Sequence, residues 1–194
     1  MTEAAVRPRG RPRNTAVDET ILDAAIGLLV EVGFEGFSMD EVASRAGVGK
    51  ATIYRRWPNR EGLVIHALAR RTDPFAEVPD GTARDRLVAV LRNVLAHAQS
   101  PVGRLLPCMV GATVSNPLLA EHYRTQIIDP RRARVTEILA DGIGAGELRG
   151  DLDIALMVDL VVGPLVYRLM FDRDSMLPEW CEGLVDAVLA GLTP

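Results

Sequence analysis

Apolar residues in this chain recur at intervals of three and four, and no run alternates apolar with polar long enough for a half-buried strand, so the sequence predicts an all-α fold. From about Thr15 to Val32, the residues Ile21, Leu22, Ala25, Leu28, Leu29 and Val32 form one helical stripe, and Gly33 ends it. Ser38-Met39-Asp40-Glu41 fits a capping box, with the Ser38 hydroxyl accepting from the Glu41 amide while the Glu41 carboxylate reaches back. The helix it starts is short: Val42, Ala43 and Ala46 supply an inner face, and Gly47, free to take positive φ, stops it, with Val48 filling the corner. A third helix is expected from about Gly49 to Trp57, with Ile53 and Trp57 inward and Lys50, Thr52, Tyr54 and Arg55 outward. Pro58 closes it, and Asn59 can cap a fourth helix running to about Thr72.

Two short helices joined by a tight glycine turn, the second exposing basic, hydroxyl and aromatic groups, form a helix-turn-helix pattern. Charge is distributed to match. The chain of 194 residues carries a net −4, yet residues 1–72 hold 11 basic against 9 acidic side chains, whereas residues 73–194 hold 11 against 17. A cationic head on an acidic body suits a protein that meets DNA at one end only.

The residues themselves then resemble a known family. Phe37-Ser38-Met39-Asp40-Glu41-Val42-Ala43, Ala46-Gly47-Val48, Thr52-Ile53-Tyr54-Arg55-Arg56-Trp57 and Arg60-Glu61-Gly62-Leu63 are similar to the TetR family of bacterial repressors, over residues 15–65. That resemblance implies a three-helix DNA head, a linking fourth helix, a helical ligand-binding body, homodimerisation and release of DNA when a small molecule binds. Two positions depart from it: Gly49, where Ser or Thr is frequent, offers no hydroxyl to a phosphate, and Arg56-Trp57 replaces the more familiar His-Phe, which redirects the phosphate contact there.

Lys50 is the sole lysine in the sequence and opens the recognition helix, where it can meet a phosphate or a guanine edge. Tyr54 can donate its hydroxyl to a phosphate, and Thr52 can touch a phosphate or a thymine methyl. The N-terminal run Arg7-Pro8-Arg9-Gly10-Arg11-Pro12-Arg13 resembles an AT-hook, a minor-groove arm of extended proline backbone with flanking arginines; a solvated basic tail is the other reading. The expected DNA-facing set is therefore Arg9, Arg11, Arg13, Ser38, Lys50, Ala51, Thr52, Tyr54, Arg55, Arg56 and Arg60.

The division expected is a disordered basic arm over 1–14, a head over 15–62 and a ligand-binding and dimerisation body over 63–194. Body helices are placed near 83–99, 102–115, 117–145 with a break at Asp129-Pro130, 152–171 and 177–191, with Asn116-Pro117 and Asp151 as start signals and the glycines at 142, 144, 146 and 150 in one loop. The segment around Ile154–Val166 is apolar on all sides, which predicts a subunit interface shared with the last helix through Leu156, Val162, Leu165, Val185 and Val188. Two heads on a two-fold axis then read a pseudopalindromic double-stranded operator. Polar groups set among apolar ones nominate Arg104, Met109, Thr113, Tyr123 and Tyr167 as an effector pocket for a hydrophobic or amphipathic molecule, with Arg104 toward an anionic end.

Catalysis has no footing here. His66, His97 and His122 are scattered, no nucleophile–base motif or phosphate loop occurs, and neither a metal nor a cofactor is expected. Asp151 and Asp153 read as helix-start charges, and Cys108 and Cys181 as buried hydrophobes. The sequence is read as holding no span of about 18 apolar residues, so no segment is expected to cross a bilayer, and no apolar stretch directly follows the N-terminal arginines, so no secretory leader and a cytoplasmic address are expected. The competing reading is a helical small-molecule carrier or enzyme whose first third is only a scaffold.

Overall fold

The computed structural model describes residues 15–71, 73, 75, 78–172 and 177–193, and all regular elements among them are helical. Arg9, Arg11 and Arg13 lie outside the described residues. Helix α1 (Thr15–Val32) buries Ile21, Leu22, Ala25, Leu28 and Leu29 of the expected stripe, while Val32, at the helix end, is exposed. Helix α2 (Met39–Arg45) ends in a Schellman turn: Gly47 takes φ +64°, its N–H reaches the Ser44 carbonyl at 3.2 Å, and the Val48 N–H reaches the Ala43 carbonyl at 3.0 Å. The capping box at its start does not form. Ser38 holds the extended N-cap backbone without a side-chain cap bond, and the Glu41 carboxylate, which would supply the return half of the box, instead accepts from Arg45 Nε at 3.0 Å one turn on.

Helix α3 (Lys50–Tyr54) is shorter than expected, although the Arg56 and Trp57 amides still reach the Ile53 carbonyl, each at 2.9 Å, so the chain coils on to Trp57. Helix α4 (Arg60–Arg71) starts where Asn59 Oδ1 accepts from the Gly62 amide at 2.8 Å, the expected cap.

The body follows the expected order with local shifts. Helix α5 (Ala83–Gln99) is capped by Thr82 and, across the fold, by Glu147, whose carboxylate accepts from the Ala83 amide at 2.7 Å. A 3₁₀ turn (Gly103–Leu105) leads into α6 (Leu106–Ser115), and Asn116 then caps α7 (Pro117–Tyr123) by accepting from the Leu119 amide at 3.0 Å. The anticipated break falls ahead of Asp129-Pro130: Arg124–Ile128 form a π-type turn, in keeping with a proline that cannot donate to the preceding turn. Helix α8 (Asp129–Gly144) keeps Gly142 and Gly144 inside its last turn, not in the loop, and the reversal is made by Gly146 at φ +74°. Helix α9 (Ile154–Phe171) is started by Asp153, which accepts from the Ala155 amide at 2.9 Å; Asp151 instead forms a two-pronged ion pair with Arg149. Helix α10 (Pro178–Ala190) completes the chain's order.

Two apolar cores result. One joins α1 to α4 with Met109, Leu119 and Ile127 of the body, and the other joins α5, α8, α9 and α10. Packing therefore does not divide at residue 62: α4 is shared, since Leu63, Val64 and Ile65 are buried against the head. Cys181 is buried as expected, but Cys108 is exposed on α6. Helix α9, at 18 residues, is long and apolar enough to cross a membrane, contrary to expectation. Its inner residues Met157, Val158 and Val161 are nevertheless buried in the body core, and Asp159 pairs with Arg132 at 2.6 Å.

Candidate nucleic-acid interface and ligand cavity

The glycine turn at 47 sets α3 across α2, so that Ile53 and Trp57 are buried while Lys50, Ala51, Tyr54 and Arg55 face outward and Thr52 is half-exposed. Ser38, at the start of α2, is exposed on the same unit. Trp57 locks the end of this segment to α4 by donating its indole N–H to His66 Nδ1 at 3.0 Å. Burial holds the His66 pKa below the ordinary histidine range, helped by the nearby Arg70 charge.

The outward groups are not all oriented alike. Lys50 Nζ lies 2.5 Å from Asp40 on α2, and the Tyr54 hydroxyl stands 3.5 Å from the same carboxylate. The Asp40 hydrogen bond and charge hold the Lys50 ammonium protonated, with its pKa raised. Asp40 thus tethers both Lys50 and Tyr54, the two groups expected to meet phosphate, a role that local sequence does not announce. Arg56 turns inward: its Nε lies 2.5 Å from Asp18 on α1, and it donates to the Thr52 carbonyl at 3.2 Å. Arg60 stacks over the Phe34 ring at 4.6 Å and lies 3.5 Å from the Phe34 and Glu35 carbonyls. Arg56 and Arg60 therefore brace the head, while Lys50, Thr52, Tyr54 and Arg55 make up its outer surface.

Helix α4 begins beside that surface and is gripped by α7. Asn116 Nδ2 donates to Glu61 at 3.0 Å, and a Cβ on Gly62 would meet the His122 ring at 3.6 Å. Burial opposes ionisation of Glu61, but the Asn116 bond and its own backbone amide outweigh that and leave its pKa lowered.

A cavity of about 350 Å³ lies in the body between α5, α6, the π-type turn, α8 and α9. Its walls are chiefly apolar, among them Val90, Val94, Leu106, Val135, Leu165 and Leu169, with Tyr123, His97, Arg131 and Arg132 as the polar groups. Of the nominated pocket residues only Tyr123 reaches it. Arg104 is exposed and donates to the Gln99 carbonyl at 3.0 Å. Met109 is buried in the core shared with the head, Thr113 donates to the Val110 carbonyl at 2.6 Å within its own helix, and Tyr167 is 64% exposed on the outside of α9. Arg131 was missed, though it lies four residues before Val135, in register with the buried stripe of α8, where a charge is anomalous.

The nominated interface residues also need correction. Val185 (1% exposed) and Leu165 (7%) belong to the protomer's own core and cannot reach a partner, Val162 and Val188 are half-buried against that core, and Leu156 is exposed.

A three-helix head with an outward-facing second helix of a helix-turn-helix, carried on a helical body that encloses a cavity, defines a DNA-binding transcriptional regulator. Residues 21–67 match the family described as bacterial regulatory proteins, tetR family, and residues 78–188 match the tetracyclin repressor-like C-terminal domain. The chain belongs to the TetR family of bacterial transcriptional regulators. It is 36% identical over 185 residues to the uncharacterized HTH-type transcriptional regulator YdeS of Bacillus subtilis, covering 95% of this chain and 93% of that one. It is 33% identical over 163 residues to the DNA-binding transcriptional repressor TetR of Mycobacteroides abscessus, covering 83% and 84%. Among solved structures, the TetR family transcription regulator SCO0332 superimposes with a TM-score of 0.72 at 30% identity, over 92% of this chain and 99% of that one. These relatives are regulators and not enzymes, which sets aside the carrier or enzyme alternative.

Proposed function

We propose that this chain acts in the cytoplasm as a homodimeric repressor whose two heads read a pseudopalindromic operator and whose body releases it when a small hydrophobic or amphipathic molecule fills the cavity. The observation that carries the DNA-facing half is the outward row Lys50, Thr52, Tyr54 and Arg55 on a segment locked from behind by Ile53 and Trp57. A rigid helix presenting cationic and hydroxyl groups on one side suits phosphate positioning and base-edge contact together.

Dimerisation is supported by the outer face of α9. Leu156, Leu160, Gly163, Pro164, Tyr167 and Phe171 follow one helical stripe and all are exposed, with Phe171 at 76%. Gly163, Pro164 and Tyr167 face a depression shared with Gly183, Leu184 and Ala187 of α10, a surface of small residues beside large ones. A contiguous apolar face of this kind calls for cover, and a two-fold pairing of α9 and α10 supplies it.

Release requires the filled body to favour a head spacing that no longer fits the half-sites; a tenfold loss of affinity corresponds to about 1.4 kcal/mol of coupling. Helix α4 is the lever, because its first turn is held by Asn116 and abuts His122 of α7, and α7 ends in the cavity-lining Tyr123. The test is fluorescence anisotropy with DNA from the protein's own promoter region. Binding that survives excess unrelated DNA and weakens with Lys50→Ala and Tyr54→Phe is expected; affinity indifferent to both changes overturns the assignment of α3.

A further inference from the structure

The cavity carries a charge pattern at odds with the body around it. Residues 73–194 hold 17 acidic against 11 basic side chains, yet the cavity wall contains Arg131, Arg132, His97 and Tyr123 and no carboxylate among the described residues. Arg132 is engaged by Asp159 at 2.6 Å, and His97 Nδ1 stands 3.0 Å from the Asn93 carbonyl, so these two are oriented by their own helices and neighbours. Arg131 and Tyr123 line the same cavity. They sit together at the head-side end of the cavity, where both also line a small void beside Leu68 of α4, and each feels the other's charge.

Burial pushes the Arg131 pKa down and the Tyr123 pKa up, which marks the neighbourhood as poorly hydrated. Asp73 lines a second groove together with Arg131 and its charge is felt by the guanidinium, which therefore borders both that groove and the cavity, with five donors to share between them. We infer that the cavity selects an amphipathic carboxylic acid, its apolar body lying along Val90, Val94, Val135, Leu165 and Leu169 and its carboxylate held by Arg131 with the Tyr123 hydroxyl donating to it. This rests on the reading of the cavity as the effector site. The volume, about 350 Å³, lies at the small end of ligand sites, roughly 300–1,000 Å³, which favours a single short chain or fused-ring acid. The carboxylate would also sit one side chain away from Leu68, so occupancy is sensed at α4 itself.

The experiment compares decanoate with 1-decanol, which share a tail and differ in charge, by isothermal titration of the full chain. Decanoate should bind on the order of tenfold more tightly than 1-decanol, Arg131→Gln should abolish that preference, and Arg131→Lys should keep part of it. Val94→Phe, which fills the apolar part, should weaken both probes, and helicity and melting temperature of each variant establish folding. Equal binding of the two probes by the wild type, or a preference that survives Arg131→Gln, overturns the carboxylate assignment while leaving the cavity as a binding site. Failure of both probes to bind, or binding of both that is untouched by Val94→Phe, overturns the cavity reading as well.

Discussion

Replacing Trp57 with phenylalanine separates the two jobs this residue does, filling the head core and donating to His66. Trp57 is 6% exposed, and its indole N–H lies 3.0 Å from His66 Nδ1. The lost hydrogen bond is worth about 1 kcal/mol, and the smaller ring adds about 1–2 kcal/mol of unfilled space, so a total near 2–3 kcal/mol is expected. His66 is only half-buried, which keeps the cost of its unpaired nitrogen at the low end. For a chain of this size that corresponds to a fall in Tm of roughly 5–10 °C. The pH dependence gives a second, independent reading. His66 is held neutral in the fold with a lowered pKa, so its contribution to stability is complete above the unfolded value of about 6.5 and is lost as pH falls from there through the folded pKa. Nδ1 must be unprotonated to accept from Trp57. Trp57→Phe removes that requirement, so the loss of stability between pH 7 and pH 5 should shrink as well. Thermal melts followed by circular dichroism at several pH values measure both effects, and a variant with unchanged Tm and an unchanged acid slope would refute the reasoning.

Other consequences are as direct. Lys50→Ala should lower the slope of log affinity against log salt by about 0.9 if the lysine leaves Asp40 for one phosphate, measured by anisotropy over a salt series. Asp40→Asn removes the tether of Lys50 and Tyr54 together with a negative charge on the DNA-facing side, so binding to unrelated DNA should tighten and discrimination in favour of the operator should fall. Asn59→Ala should cost about 1 kcal/mol through loss of the α4 cap, read by chemical denaturation. Leu160→Glu and Tyr167→Glu should give folded monomers by light scattering with unchanged helicity, whereas dimers from both would remove α9 from the interface.

The head was legible because its instructions are local. Gly47, the Ile53–Trp57 spacing, Pro58 and the Asn59 cap each act within a few residues, and the structure places them as the pattern requires. The capping box lost its return half because the Glu41 carboxylate pairs with Arg45 one turn away, and Arg56 turns inward toward Asp18, 38 residues earlier, which no local pattern announces. The cavity was hidden for the same reason on a larger scale, since its wall is assembled from α5, α6, the π-type turn, α8 and α9. On α9 the apolar residues surround the helix, so periodicity could not decide which side faces the core. Only the packing distinguishes buried Val161 and Leu165 from exposed Leu160 and Tyr167.

The most direct test of the account is a DNase I footprint of the full chain on its own promoter region. It should show two protected half-sites related by two-fold symmetry, centred about one helical turn apart or somewhat more, with protection lost at the same concentration for Lys50→Ala. Absence of protection above that of unrelated DNA, or a single asymmetric footprint unaffected by Lys50→Ala, would contradict it.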